Sequence, residues 1–327
     1  MGRVGEGEQP NSETADTRSR PLLIAPSPPH LSSLSPELSR ASRGRFYVIA
    51  ATLLWSLSGV IIKSPVIKEI PLDDRGLVLA CYRALFASVG LLPFVCWRRV
   101  RLRPKLIPSV VSFALMNVLF VTAMTRTSAG AASFLQYTCT VWVFVFGWLA
   151  LQERISRGNF VALLCAVCGI AWIVFSERDG QRADGNLLAL ASGGAYAGVI
   201  LSLRWLRDED ATWVTVLNHA VSGLVLLPFV LLRHVELTPL QWTLVATLGV
   251  FQMGLPYVLA ARGVALLSMQ ESALLILLEP ILTPLWAWKC WGESIGWPTL
   301  VGGALILGGL SVKYVVWPSN GTRKATG

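Results

Sequence analysis

The chain has 327 residues, of which 54% are hydrophobic and 14% charged, with a formal net charge of +9 at pH 7. A soluble domain carries about 25% charged residues, so this composition excludes an ordinary water-soluble fold and puts most of the chain in lipid. The basic excess does not read as a nucleic-acid footprint, because most Lys and Arg sit at the ends of apolar runs, where the positive-inside rule places them.

Residues 1–44 are polar and rich in Pro and Ser, as in Pro26-Ser27-Pro28-Pro29, and read as a disordered cytoplasmic tail. The stretch Leu22-Leu23-Ile24-Ala25 is too short for the apolar core of a secretory signal. Ten apolar runs follow, at about 46–63, 77–97, 106–124, 129–151, 159–176, 187–204, 212–232, 240–261, 269–291 and 297–317. Most are near the roughly 20 residues that a membrane helix needs. Sustained alternation of polarity is absent, which argues against a β-barrel. The predicted fold is an all-α integral membrane protein with ten transmembrane helices arranged as two inverted five-helix repeats. The first repeat covers 45–176, Glu177 to Gly185 is a short charged linker, the second repeat covers 187–317, and 318–327 is a cytoplasmic tail. The Arg98–Lys105 cluster biases Lys and Arg towards one face, which places both termini in the cytoplasm.

The doubling is visible without gaps. Residues 117–174 align with 257–314 at a constant offset of 140, so that Ser128, Leu135, Trp148, Glu153 and Gly169 meet Ser268, Leu275, Trp288, Glu293 and Gly309. Upstream, Leu91-Leu92-Pro93-Phe94-Val95 recurs as Leu226-Leu227-Pro228-Phe229-Val230. An odd number of spans per copy makes the second copy enter the membrane from the opposite side, which is a transporter architecture.

Glycine is frequent within the runs. Gly194-x-x-x-Gly198 and the set Gly302, Gly303, Gly308 and Gly309 let helix backbones approach, either within the bundle or, through the tenth span, in a homodimer. Pro256, Pro280 and Pro284 interrupt the eighth and ninth spans. The first copy has Met116, Thr140 and Phe144 in their places, so the kinks are expected in the second copy alone.

Arg83 and Glu279 are the two charged residues well inside spans. A mid-bilayer charge costs about 2.5–3.5 kcal/mol on insertion scales, so both are expected to face the bundle interior. Arg83 reads either as a clamp for a carboxylate or phosphate, which its planar fork suits, or as a structural group held by an ion pair or by backbone carbonyls. Glu279 reads either as a proton-coupling carboxylate or as a neutral or paired group holding the kink at Pro280. A second set, Trp55, Asn117, Gln136, Tyr137, Tyr196, Asn218, Gln252 and Tyr257, offers amides, hydroxyls and rings that orient a solute or brace helices against one another. His219 reads as packing. Glu153 and Glu293 match across the copies and read as interface caps or ion pairs, the first near Arg154 and Arg157. The six cysteines, Cys165-x-x-Cys168 among them, form no disulfide framework or metal-ligand spacing, and the three histidines are scattered. No metal, cofactor or catalytic set is expected, and the absence of a G-x-x-x-x-G-K-[ST] loop argues against direct ATP drive.

Three stretches resemble the EamA type of the drug/metabolite transporter superfamily. Leu278-Glu279-Pro280-Ile281 running into Gly292-Glu293 resembles the family's ninth-span signature. Phe144 to Glu153 with Arg154-Ile155-Ser156 resembles its first-copy partner, and Cys81-Tyr82-Arg83-Ala84 its arginine-bearing second span. Thr140 departs from the family, which often has proline there. The resemblance covers about 45–317 and implies two inverted five-helix halves, a central cavity and alternating access. It also implies multi-pass transport of small metabolites such as amino acids, commonly outward, and by position it points to Arg83, Tyr257 and Glu279. The expected function is a secondary transporter in the cell (inner) membrane, exporting or exchanging a small-molecule substrate, with proton coupling as one drive. A nucleotide-sugar carrier of the same superfamily, a membrane enzyme on lipid-linked substrates and a non-transporting scaffold are the rival readings.

Overall fold

The computed structural model describes residues 31–151, 157–176, 180–206, 208–267 and 269–316. Contacts divide the chain into Met1–Ser39 and Arg40–Gly327, and of the first unit only the helical backbone from Leu31 is described. Among the described residues there are helices and no strands. In chain order they are α1 (Leu31–Ser56), α2 (Ser58–Ile62), α3 (Pro65–Lys68), α4 (Leu72–Leu91), α5 (Ile107–Arg126), α6 (Ala129–Gln136), α7 (Cys139–Leu151) and α8 (Arg157–Ser176). Then come α9 (Gly180–Trp205), α10 (Ala211–Leu231), α11 (Pro239–Thr247), α12 (Leu255–Val264), α13 (Met269–Ile276), α14 (Glu279–Trp291) and α15 (Trp297–Val316). Lipid cannot satisfy backbone polar groups, so apolar runs of this length close their own hydrogen bonds as helix. Side chains start several of them: Ser128 accepts from Ala131 N at 3.1 Å, Asp210 from Trp213 N at 2.9 Å, and Thr238 forms a capping box with Gln241.

Among the described residues, seven segments are long and apolar enough to cross a membrane: Arg40–Ile62, Leu72–Phe94, Pro104–Arg126, Arg182–Leu203, Ala211–Leu231, Pro239–Val264 and Leu274–Trp291. Phe160–Ser176 and Trp297–Val312 are shorter apolar helices. This is an integral membrane protein. Two sequence expectations meet a different structure. Residues 31–44, read as disordered tail, are helical backbone at the start of α1, while residues 1–30 lie outside the described set. The motif at Glu153–Ser156 also lies outside it.

The helix breaks are the second difference. The fourth run breaks at Tyr137–Thr138, between α6 and α7, and the ninth at Leu277–Leu278, between α13 and α14. All four boundaries correspond at the offset of 140, so both copies break at the same place despite Thr140. In the second copy Pro280 lacks the amide proton and sits in the first turn of α14, where none is needed. In the first copy Thr138 Oγ1 donates to Leu135 O at 2.6 Å, offering the turn a partner without proline. A third interruption separates α1 from α2 at Leu57, and a fourth is the π-helical stretch Leu248–Gly254 ahead of Pro256. The carbonyl of Trp55, beside the α1–α2 break, accepts from Gln252 Nε2 at 2.9 Å, so one irregularity braces another.

Helix packing pairs α5 with α9, α4 with α10 and α8 with α15. Glycines set the approach of the last pair. A Cβ on Gly169 or on Gly302 would come within 2.6 Å of the other's carbonyl oxygen. About two turns away, Gly309 faces Ala162 and Cys165. Shifting Gly169 and Gly302 by the repeat offset gives Gly309 and Ala162, so the contact recurs reciprocally, and rising numbers on α8 meet falling numbers on α15. The two helices therefore run antiparallel. Gly303 is filled by Phe134 of α6, and Gly308 meets nothing within 4 Å. Most of these α15 glycines thus serve packing inside the chain.

Candidate functional site

The interruptions surround one cavity of about 100 Å³. It is lined by Trp55, Arg83, Met116, Phe120, Gln136 and Tyr137 from the first copy, and by Tyr196, Gln252, Met253, Tyr257, Ile276 and Glu279 from the second. Both copies contribute equally, and Gln136 and Ile276 are matched positions at the ends of α6 and α13. A pocket for a drug-sized ligand holds about 300–1,000 Å³, so this conformation encloses a smaller space.

Eight of the ten sequence candidates line this cavity: Trp55, Arg83, Gln136, Tyr137, Tyr196, Gln252, Tyr257 and Glu279. Asn117 stands behind it. Its Oδ1 accepts from Arg83 Nε at 3.0 Å and Nη2 at 2.7 Å, while its Nδ2 donates to Ala80 O and Ser222 Oγ. Arg83 is 1% exposed and uses one edge of its guanidinium on that amide. The sequence left Arg83 between a clamp and a structural ion pair or backbone brace; its hydrogen bonds run to the Asn117 side-chain amide. Asn218 lies away from the cavity, bracing α10 on α5 through Ser109. His219 is buried, packs on the rings of Phe113 and Tyr257 at 4.5 and 5.6 Å, and bonds the carbonyl of Thr215 through Nδ1.

Glu279 opens α14, and its Oε2 accepts from Tyr137 Oη at 2.8 Å. Tyr137 sits in the opposite break, so the two interruptions meet through one phenol–carboxylate bond. Neither Arg83 nor Glu279 has an ion-pair partner among the described residues, and they are not paired with each other. Trp55 and Tyr257 meet edge to face at 5.4 Å. The hydroxyls of Tyr196 and Tyr257 bond none of the described residues, and Gln252 Oε1 is buried without a partner among them. A cation, an acid and several unspent polar groups therefore converge on one small space. Sequence reading passed over Met116, Phe120, Met253 and Ile276, which have no chemical signal to separate them from other apolar residues of the bundle.

One end beyond the cavity is tied by polar contacts between the copies. Glu293 Oε1 accepts from Ala129 N, the first residue of α6, at 2.7 Å, and lies 3.8 Å from Lys63 Nζ. Lys63 also donates to Thr127 O, and Trp291 Nε1 donates to Val60 O at 2.7 Å. Glu293 thus takes up a free amide at the start of α6 and pairs with Lys63 as its cation.

The sequence model of the EamA-like transporter family matches residues 42–175 and 184–314. A protein named "Uncharacterized transporter" from Archaeoglobus fulgidus is 26% identical over 235 residues, 71% of this chain and 84% of that protein. "Pseudopaline exporter CntI" from Pseudomonas aeruginosa is 28% identical over 206 residues, covering 62% and 72%. "Probable amino-acid metabolite efflux pump" from Salmonella typhimurium is 23% identical over 298 residues, covering 86% and 98%. A solved crystal structure shares the fold at a TM-score of 0.60 and 16% identity, over 85% of this chain and 99% of its own. Matched in two consecutive copies over most of its length, the chain belongs to the EamA-like transporter family.

Proposed function

We propose that this chain is a secondary transporter for small polar or zwitterionic metabolites, such as amino acids and related solutes, acting as an exporter or exchanger by alternating access. One observation carries the reading: Arg83 and Glu279 line one cavity with no ion pair to each other or to any described residue. Buried charges are costly unless paired, so an uncompensated cation and acid in one space suit a ligand that carries both signs. The guanidinium fork takes a carboxylate. Glu279 takes an ammonium group, or a proton when the solute is absent, which makes it the coupling group of this scheme. Arg83 is the one basic residue among those lining the cavity, which favours a single anionic group over the diphosphate of a nucleotide sugar. The names of the Pseudomonas and Salmonella relatives support outward movement.

The architecture we infer is ten spans in two inverted halves. The seven long segments, the two shorter apolar helices and the α6–α7 run supply ten crossings. The reciprocal antiparallel contact of α8 and α15 is what an in-plane pseudo-twofold axis requires. The basic stretch Arg98–Lys105 supports cytoplasmic termini in a cell membrane. The test is saturable flux in proteoliposomes against a panel of amino acids and nucleotide sugars. Saturable transport competed by amino acids supports the reading. Competition by nucleotide sugars alone favours the rival carrier, and flux that never saturates sinks both.

A further inference from the structure

A second built feature lies outside the cavity, where the loop between α4 and α5 crosses the start of α10. Five basic residues fall between Arg98 and Lys105, beside Trp97 and Leu102, which are 61% and 75% exposed. The loop is fixed. Trp213 Nε1 donates to Arg101 O at 3.2 Å, and Glu209 holds Lys105 Nζ at 2.9 Å and Arg103 Nη1 at 3.5 Å. Leu106, Leu206 and Val214 form a buried floor beneath it.

Against this loop lies an apolar groove of about 420 Å³, lined among others by Leu102, Arg103, Ile107, Val110, Leu217 and Val221. Ile107 and Val110 are three apart on α5, and Leu217 and Val221 four apart on α10, so each pair shares a helix face. The groove therefore runs from the charged loop down between two membrane helices. The nearby acids do not cancel the loop's charge. Asp210 caps α10, Glu209 is taken by Lys105 and Arg103, and Asp208 is exposed. Arg98 and Arg101 form no ion pair with the described residues.

We propose that this groove binds an anionic phospholipid, its acyl chain between Ile107–Val110 and Leu217–Val221 and its phosphate in the field of Arg98, Arg101 and Arg103. A basic pocket between membrane helices at the headgroup level recognises anionic lipid, and an exposed tryptophan beside it marks that level. A zwitterionic headgroup neutralises none of the excess charge. The site is independent of what the central cavity carries.

The test is native mass spectrometry of the delipidated full chain, with equimolar phosphatidylglycerol and phosphatidylcholine of the same acyl composition. Phosphatidylglycerol should be retained several-fold more, and the preference should fall roughly fivefold for each charge removed in Arg98→Gln/Arg101→Gln. Val221→Trp, which fills the groove and leaves the charges, should lower phosphatidylglycerol retention as well. The wild-type comparison stands even if a variant fails to fold. Equal retention of the two lipids overturns the proposal, as does a preference unchanged in the folded arginine variant. Displacement by inorganic phosphate alone, with no effect of Val221→Trp, overturns it too, because the ligand is then a free anion.

Discussion

Tyr137 Oη donates to Glu279 Oε2 across 2.8 Å, and this bond joins the helix break of one copy to the helix break of the other. Each break exposes helix ends to a cavity, where irregular backbone is tolerated in a membrane protein. Glu279→Gln keeps the size of the side chain and removes its charge. Uptake by the reconstituted protein should lose its pH dependence, and a dependence that persists removes Glu279 as the coupling group. Tyr137→Phe should keep the pH dependence and weaken apparent affinity several-fold, because it deletes an orienting bond and spares the carboxylate.

Arg83 and Asn117 separate charge from geometry. Arg83→Ala should reduce transport at least tenfold with the protein still inserted, since a hydrogen bond to a charged group contributes about 1.5–3 kcal/mol. Arg83→Lys keeps the charge and loses the planar fork, so most of the defect should remain. Asn117→Ala frees the guanidinium from its brace at 2.7 Å and should raise KM more than it lowers the maximal rate. Wild-type kinetics in all three variants would leave Arg83 a structural residue.

Lys63, Ala129 and Glu293 tie the copies together at one end. The alternating access proposed above requires that tie to open. In a cysteine-free background, Thr127→Cys should label faster with an impermeant maleimide once Glu293→Gln is added. Equal labelling rates would show that the tie does not hold the closed state.

The α8–α15 seam gives a steric prediction with an internal control. Gly302→Leu and Gly169→Leu place side chains against opposing backbone and should lower the melting temperature clearly, overpacking costing about 1–3 kcal/mol. Gly308→Ala meets nothing within 4 Å and should be neutral or slightly stabilising. Equal effects at positions 302 and 308 would mean that the seam is not packed this way.

Glu209 supplies a pH test outside the membrane. The Lys105 ammonium at 2.9 Å, with Arg103 and Arg101 nearby, holds the Glu209 carboxyl below the ordinary value of 4.5 against an opposing effect of burial. A depressed folded value means that its stabilisation is complete above pH 4.5 and fades as pH falls through the folded value. The melting-temperature gap between wild type and Glu209→Gln should therefore stay constant from pH 7 to about 5 and narrow below pH 4.5. A gap that grows on acidification contradicts the assignment.

Length, composition and the 140-residue offset determined an all-helical membrane protein of two copies, because lipid leaves an apolar run little choice but helix. Intramembrane cost alone singled out Arg83 and Glu279, and eight of the ten candidates line the cavity for the same reason: polar groups are driven away from lipid. Only the tertiary structure decided which of those polar groups face open space and which face each other. Asn117 and Asn218 carry the same amide, yet one braces the cavity's arginine and the other a serine of α5. The first-copy break at Tyr137–Thr138 was hidden because a threonine hydroxyl serves there where a proline serves in its twin. Sequence records which residues are expensive to bury; packing between distant helices settles what each of them is buried against.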